Sequence, residues 1–122
     1  MGKSWHDIKQ FYEDLIRGGL PAQVMLQLVE HISISRYASG LFAWTSMHDL
    51  CVAKTPATEQ DPGPYLRISP LFDGNIDFRF IDTFVENRQW HRVVSEEEAF
   101  SRLERFFDQL HWFGLKAVPG SR

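Results

Sequence analysis

Along the chain, hydrophobic positions first recur at helical spacing. Trp5, Ile8, Phe11, Tyr12, Leu15 and Ile16 form one stripe, and Ser4 followed by Asp7 resembles a capping box with a shortened acid. A helix is expected over about 4–17. Gly18-Gly19 supplies a left-handed stop, and Pro21 sits where the first turn of a helix tolerates proline. A second helix over about 21–34 follows, with Val24, Met25, Leu28, Val29 and Ile32 turned inward. The tight turn between the two makes them an antiparallel or steeply crossed pair. Helix two should fray over 33–39, where β-branched and short polar residues accumulate.

From Leu41 the composition shifts toward strand formers. Strands are expected over about 41–45 and 49–54, folded about Ser46-Met47-His48-Asp49. Residues 55–64 hold three of the six prolines together with Glu59, Asp61 and Gly63, which is loop chemistry. The next hairpin, over about 65–71 and 75–84, can be argued to its register. A two-residue Asp73-Gly74 turn would put Leu66 and Ile68 on the face opposite Phe78 and Phe80. A three-residue loop, Phe72-Asp73-Gly74 with Gly74 left-handed in a bulge, pairs Ile68 with Phe78 and Leu66 with Phe80 on one face. The bulged loop is expected. A fifth strand over about 89–94 returns through a turn near Glu86-Asn87, in a register that sets Asp82 across from either His91 or Arg92.

Ser95-Glu96-Glu97-Glu98 reads as a full capping box with acids in the first turn, where the macrodipole favours them. Ala99, Phe100, Leu103, Phe106, Phe107, Leu110 and Phe113 then form a stripe closed by Gly114, so a helix is expected over 96–113 and a tail over 116–122. Its apolar side should lie on the Leu66, Ile68, Phe78, Phe80 face. The expected architecture is α+β: an N-terminal helix pair, an antiparallel meander of four or five strands, and a C-terminal helix packed on the sheet. At 122 residues this is one domain.

Composition narrows the function classes. Apolar residues make up 43% of the chain, ten Phe and four Trp among them, enough for a core without disulfide or metal. The formal charge is −3, and the thirteen Lys and Arg are interspersed with acids, so nucleic acid is a poor partner. Cys51 is the single cysteine and cannot form an internal disulfide; the first residues turn polar without an apolar signal core. A cytoplasmic location is the expectation. No stretch approaches the roughly 20 consecutive apolar residues of a membrane span, so no membrane partner is expected either.

Candidate chemistry is sparse. His6, His31, His48, His91 and His111 show none of the His-x-His, His-x-x-x-His or His-Glu-x-x-His spacings of a metal site. No glycine-rich phosphate cradle is present, and no metal or cofactor is expected. Ser46 with His48, or Cys51 with His91, pairs a nucleophile with a base on paper, but Ser46 lacks a nucleophile elbow and Cys51 reads as a buried strand residue. No catalytic residue is assigned. Asp82, at the end of an apolar strand face, is either a binding group or a sheet-edge ion pair.

Two surfaces remain as candidates. Trp44, His48, Asp82, Phe84, Trp90 and His91 would line a pocket between the helix pair and the sheet. Tyr65, Arg67, Asp77, Arg79 and Ile81, beside Ser69 on the opposite sheet face, have the aromatic and Arg mixture of a protein contact. The leading expectation is a small non-catalytic protein-interaction module of inhibitor, immunity or adaptor type. Its alternatives are a small-molecule-binding protein or modest enzyme using the pocket, and a homodimer formed through the sheet face or an edge.

Overall fold

A computed structural model of the protein describes residues 2–56, 63–82 and 86–113. Ser4 caps α1 (Trp5–Arg17), its hydroxyl accepting from the Asp7 N–H at 3.0 Å. That satisfies one of the orphan donors of the first turn. At the other end Gly19 takes φ +96°, its N–H reaches Ile16 O at 2.9 Å, and the Leu20 N–H reaches Leu15 O at 3.0 Å. This is a Schellman cap, with glycine where the backbone turns left-handed. The expected start of the second helix needs correction. Ala22 bonds back to Leu20 O at 2.9 Å, so Pro21 belongs to the connection and α2 (Gln23–Ser33) begins after it. Its buried residues are the five expected ones, Val24, Met25, Leu28, Val29 and Ile32.

Five antiparallel strands follow in meander order: β1 (Phe42–Ser46), β2 (Asp49–Ala53), β3 (Tyr65–Pro70), β4 (Ile76–Ile81) and β5 (Trp90–Val94). The β3–β4 register is the expected one, with Leu66 opposite Phe80 and Ile68 opposite Phe78. Leu71 and Asn75 close a three-residue loop, Gly74 stands at φ +87°, and its N–H reaches Leu71 O at 3.1 Å. The β4–β5 register differs from both expectations. Phe80 lies opposite Trp90 and Arg79 opposite His91, so Asp82 comes level with neither His91 nor Arg92. A 3₁₀ turn, Glu86–Arg88, lengthens the return, and Trp90 packs inward with its ring 4.9 Å from Phe106. Residues 83–85 of the expected β4 extension lie outside the described residues.

The last helix is shorter than expected. A 3₁₀ turn, Glu96–Glu98, precedes α3 (Ala99–Gln109), and no capping box forms: the Ser95 hydroxyl meets the Glu98 carboxylate at 3.4 Å instead of capping the backbone. The helix also stops before Gly114, which lies outside the described residues together with the tail. His111 adopts φ 57°, the Trp112 N–H reaches Phe107 O at 3.1 Å, and the Trp112 ring stacks on Phe107. The Schellman geometry of α1 is thus repeated with histidine in the left-handed position.

All three helices contribute to one core on one side of the sheet. Ile8, Tyr12, Met25, Leu28, Leu103 and Phe107 join Leu50, Leu66, Ile68 and Phe78 there. Among the described residues no helix is long and apolar enough to cross a membrane. The two helix caps should respond oppositely to substitution. Gly19→Ala is expected to lower the unfolding free energy by about 1 kcal/mol and His111→Gly to raise it by about 0.5 kcal/mol, as read by urea denaturation.

Candidate functional site

The pleat that sends Leu66, Ile68, Phe78 and Phe80 inward sends their neighbours to the other sheet face. One row crosses all five strands there: Trp44, Cys51, Arg67, Arg79, His91. Arg67 and Arg79 face each other across β3 and β4, a like-charge pair that destabilises a sheet unless acids intervene. Two do. Asp49 Oδ2 lies 2.6 Å from Arg67 Nε and 3.6 Å from Arg79, while Asp77 lies 3.6 Å from Arg79 and 3.4 Å from His91 Nδ1. Arg67 and Arg79 also donate to the Ser46 and Ser69 hydroxyls at 3.3 and 3.2 Å. Burial opposes the Arg67 charge, but the hydrogen bond and field of Asp49 outweigh it and hold the guanidinium above its usual value. Two Arg against two Asp leave the lattice neutral. Tyr65 and Ile81 stand opposite each other at its margin, and Trp44, Cys51 and Ala53 form a small buried cluster with Tyr65 beside it.

The six residues expected to line a pocket are spread over the molecule. Trp44 and His91 lie on the outer face, and Trp90 packs on the inner side against Phe106. His48 is exposed in the β1–β2 turn, where its carbonyl accepts from the Tyr12 hydroxyl at 2.9 Å. Asp82 is buried past the end of β4, with Gln89 bonded to its N–H at 2.9 Å and Arg88 at 3.7 Å from its carboxylate. Among the described ones, only Trp90 and His91 meet, at a shallow depression shared with Phe80 and Gln89. Phe84 lies outside the described residues. Between helices and sheet the space is filled by Tyr12, Met25, Leu28 and Ile68. Cys51 and His91 are three strands apart in one row, about 14 Å, too far for a nucleophile and its base.

A different surface stands out at the end of the sheet where three connections meet. The α1–α2 turn brings Leu20, Pro21 and Ala22; the β1–β2 turn brings Met47, His48 and Asp49; the β3–β4 loop brings Pro70, Leu71 and Phe72. They enclose a mostly apolar cleft of about 220 Å³. Four large apolar side chains on its rim are in solvent: Phe72 fully, Met47 at 82%, Leu20 at 38% and Leu71 at 36%. Together they expose on the order of 500 Å², near the upper end of the largest patch on an ordinary monomer. Met47 occupies the first position of a two-residue turn at φ 57°, where glycine is the unstrained choice. A strained Met and a solvated Phe at two turn tips oppose stability and solubility. The signal was legible in the sequence as large apolar residues at turn positions, yet the contact surface expected from composition was the Arg-bearing face.

No family model, no curated protein and no solved structure matches the chain. Among the described residues, no three His, Cys, Asp or Glu side chains gather as metal ligands.

Met47→Gly should raise the unfolding free energy by about 1 kcal/mol in urea melts, because it relieves the left-handed strain without disturbing the turn. Alkaline pH should act through Cys51. Burial pushes its thiol up from 9.0 to about 11, and burial, followed by the Asp49 and Cys51 fields, raises the Tyr12 hydroxyl as well. A raised folded-state value means that the neutral thiol's contribution is complete below about pH 9 and is lost as pH climbs toward about 11. Unfolding free energy measured across that window should fall. In Cys51→Ala the decline should be shallower by about 2 kcal/mol.

Proposed function

We propose that this protein is a non-catalytic interaction module, of inhibitor, immunity or adaptor type, that binds a protein at the turn-end cleft. The single observation behind this reading is the convergence of Leu20, Met47, Leu71 and Phe72, drawn from three separate connections, on one rim. The largest apolar patch on a monomer is often a functional surface. Met47 supports the reading further, since a strained residue held at a loop tip serves the fold poorly. A cleft of about 220 Å³ is smaller than the roughly 300–1,000 Å³ of small-molecule sites, which favours an apolar side chain over a metabolite as occupant. The neutral Arg and Asp lattice offers no surplus charge for phosphate, in keeping with a protein partner and not nucleic acid. A buried, unpaired Cys51 suits a reducing compartment such as the cytoplasm.

A photo-crosslinking phenylalanine analogue placed at position 72 of the full chain, irradiated in expressing cells, tests this directly. A protein-sized adduct from position 72, absent when the analogue replaces His91, is the expected result. An adduct from position 91 alone would move the contact to the outer sheet face, and one of small-molecule mass would favour a ligand-binding role. No adduct at either position would overturn the proposal.

A further inference from the structure

The two edges of the sheet are treated differently. Along β1 the Lys3 N–H donates to Ala43 O at 2.7 Å and the Lys3 ammonium to the Thr45 hydroxyl at 2.8 Å, so residues before α1 occupy that edge. Among the described residues no segment lies along β5 in this way. Which β5 backbone groups point outward follows from the neighbouring hairpin. The Leu71 N–H donates to Asn75 O, so Asn75, Asp77 and Arg79 turn their backbone groups to β3, while Ile76, Phe78 and Phe80 turn theirs to β5. Opposite these, Trp90, Arg92 and Val94 complete the ladder, and His91 and Val93 direct N–H and C=O to the open side. The Arg92 guanidinium, donating to His91 O at 2.8 Å, shows the same phase. Ser95, with extended backbone at ψ 156°, carries the outward row one place further.

Such an edge is a template for one more strand, and charge along it says which strand fits. The end before Val93 is basic: Arg92 lies over the Trp90 ring at 5.5 Å, Arg102 lies over Phe106 at 5.5 Å, and Arg88 precedes them. The end after it is acidic, with Glu96, Glu97 and Glu98 in succession. A strand that is acidic where β5 is basic, and basic where β5 is acidic, is β5 itself run in the opposite direction. We infer that a second copy of this chain pairs at this edge, β5 antiparallel to β5, with the two Val93 residues opposite each other on a two-fold axis. His91 of each copy then faces Ser95 of the other, and Arg92 leaves its own carbonyl to meet the acidic end of the second copy. Val93, 54% exposed, packs on its equivalent across the axis. Head-to-tail pairing of β5 with β1 would meet the edge that Lys3 holds, so the assembly closes at two copies. Few residues of each strand take part, so the dimer is weak and salt-dependent. At cellular concentrations it is sparsely filled and leaves the crosslinking contrast between positions 72 and 91 intact. This pairing stands apart from the turn-end cleft, and either can fail alone.

Sedimentation equilibrium of the purified full chain from micromolar to millimolar concentration, together with amide hydrogen exchange, tests the inference. The expected record is a monomer–dimer equilibrium that weakens several-fold between about 50 and about 500 mM salt, with the His91 and Val93 amides exchanging more slowly as concentration rises. Val93→Pro should weaken the dimer at least about tenfold. Proline there removes only an outward N–H, so the fold should persist, which far-UV circular dichroism checks. Charge supplies a second arm. Arg92→Glu and Glu96→Arg/Glu97→Arg should each weaken self-association, yet the two variants mixed should form a heterodimer tighter than either forms alone. A single-chain mass at every concentration, masses that grow past two copies, a dimer indifferent to Val93→Pro, unprotected His91 and Val93 amides in the dimer, or a mixture no tighter than its components would each overturn the pairing.

Discussion

The register of the β3–β4 hairpin is the constraint on which the rest of the molecule depends. Side chains alternate across a strand, so a slip of one residue would turn Leu66 and Ile68 away from Phe78 and Phe80 and split the apolar face between the two sides of the sheet. The three-residue loop with Gly74 left-handed prevents that slip. Once Leu66, Ile68, Phe78 and Phe80 share a face, the helices have one surface to cover, and Phe106 closes on Phe78 at a ring distance of 5.1 Å. The same register has two further effects. It sets Arg67 against Arg79 on the outer face, and it lifts Phe72 to the tip of the loop.

Those two effects have different physical characters. On the outer face the charges are used internally, because Asp49 sits between the Arg67 and Arg79 guanidinium groups that would otherwise repel, and Asp77 sits between Arg79 and His91. The lattice offsets the like-charge repulsion within the sheet, while Asp77 Oδ1 and Arg79 Nε are buried in it without a hydrogen-bond partner. At the turn end the apolar groups are used by nothing within the described chain, and Met47 is held there at some cost in strain. Asp49 belongs to both surfaces: it borders the cleft and neutralises Arg67. The cleft's polar edge is thereby fixed in place by the sheet behind it.

Helix termini show how far local patterns can be read. The α1 stop was legible because glycine occupies the left-handed position, whereas α3 ends with the same hydrogen bonds around His111, a residue that carries no such signal. What ends α3 is the stacking of Trp112 on Phe107 together with the core beneath it. Similarly, Ser95 and Glu98 have the spacing of a capping box, but a 3₁₀ turn brings the two side chains to each other instead of to the backbone. Spacing states which groups can meet. The path of the chain decides which do.

By itself the sequence determined the class of fold, the inward stripes of the helices, the β3–β4 register and the β3 and β4 residues of the outer face, because each follows from periodicity and turn chemistry within a few neighbouring residues. The tertiary structure decided the β4–β5 register, the dispersal of Trp44, His48, Asp82 and His91, and the meeting of Leu20, Met47 and Phe72 at one cleft. These depend on how distant segments are brought together. Asp82 came level with neither His91 nor Arg92 because the turn at Glu86–Arg88 and the packing of Trp90 on Phe106 set the strand's phase, and neither is encoded in local alternation. Met47 and Phe72 lie on different hairpins, and only the antiparallel order of β2, β3 and β4 puts both turns at the same end of the sheet.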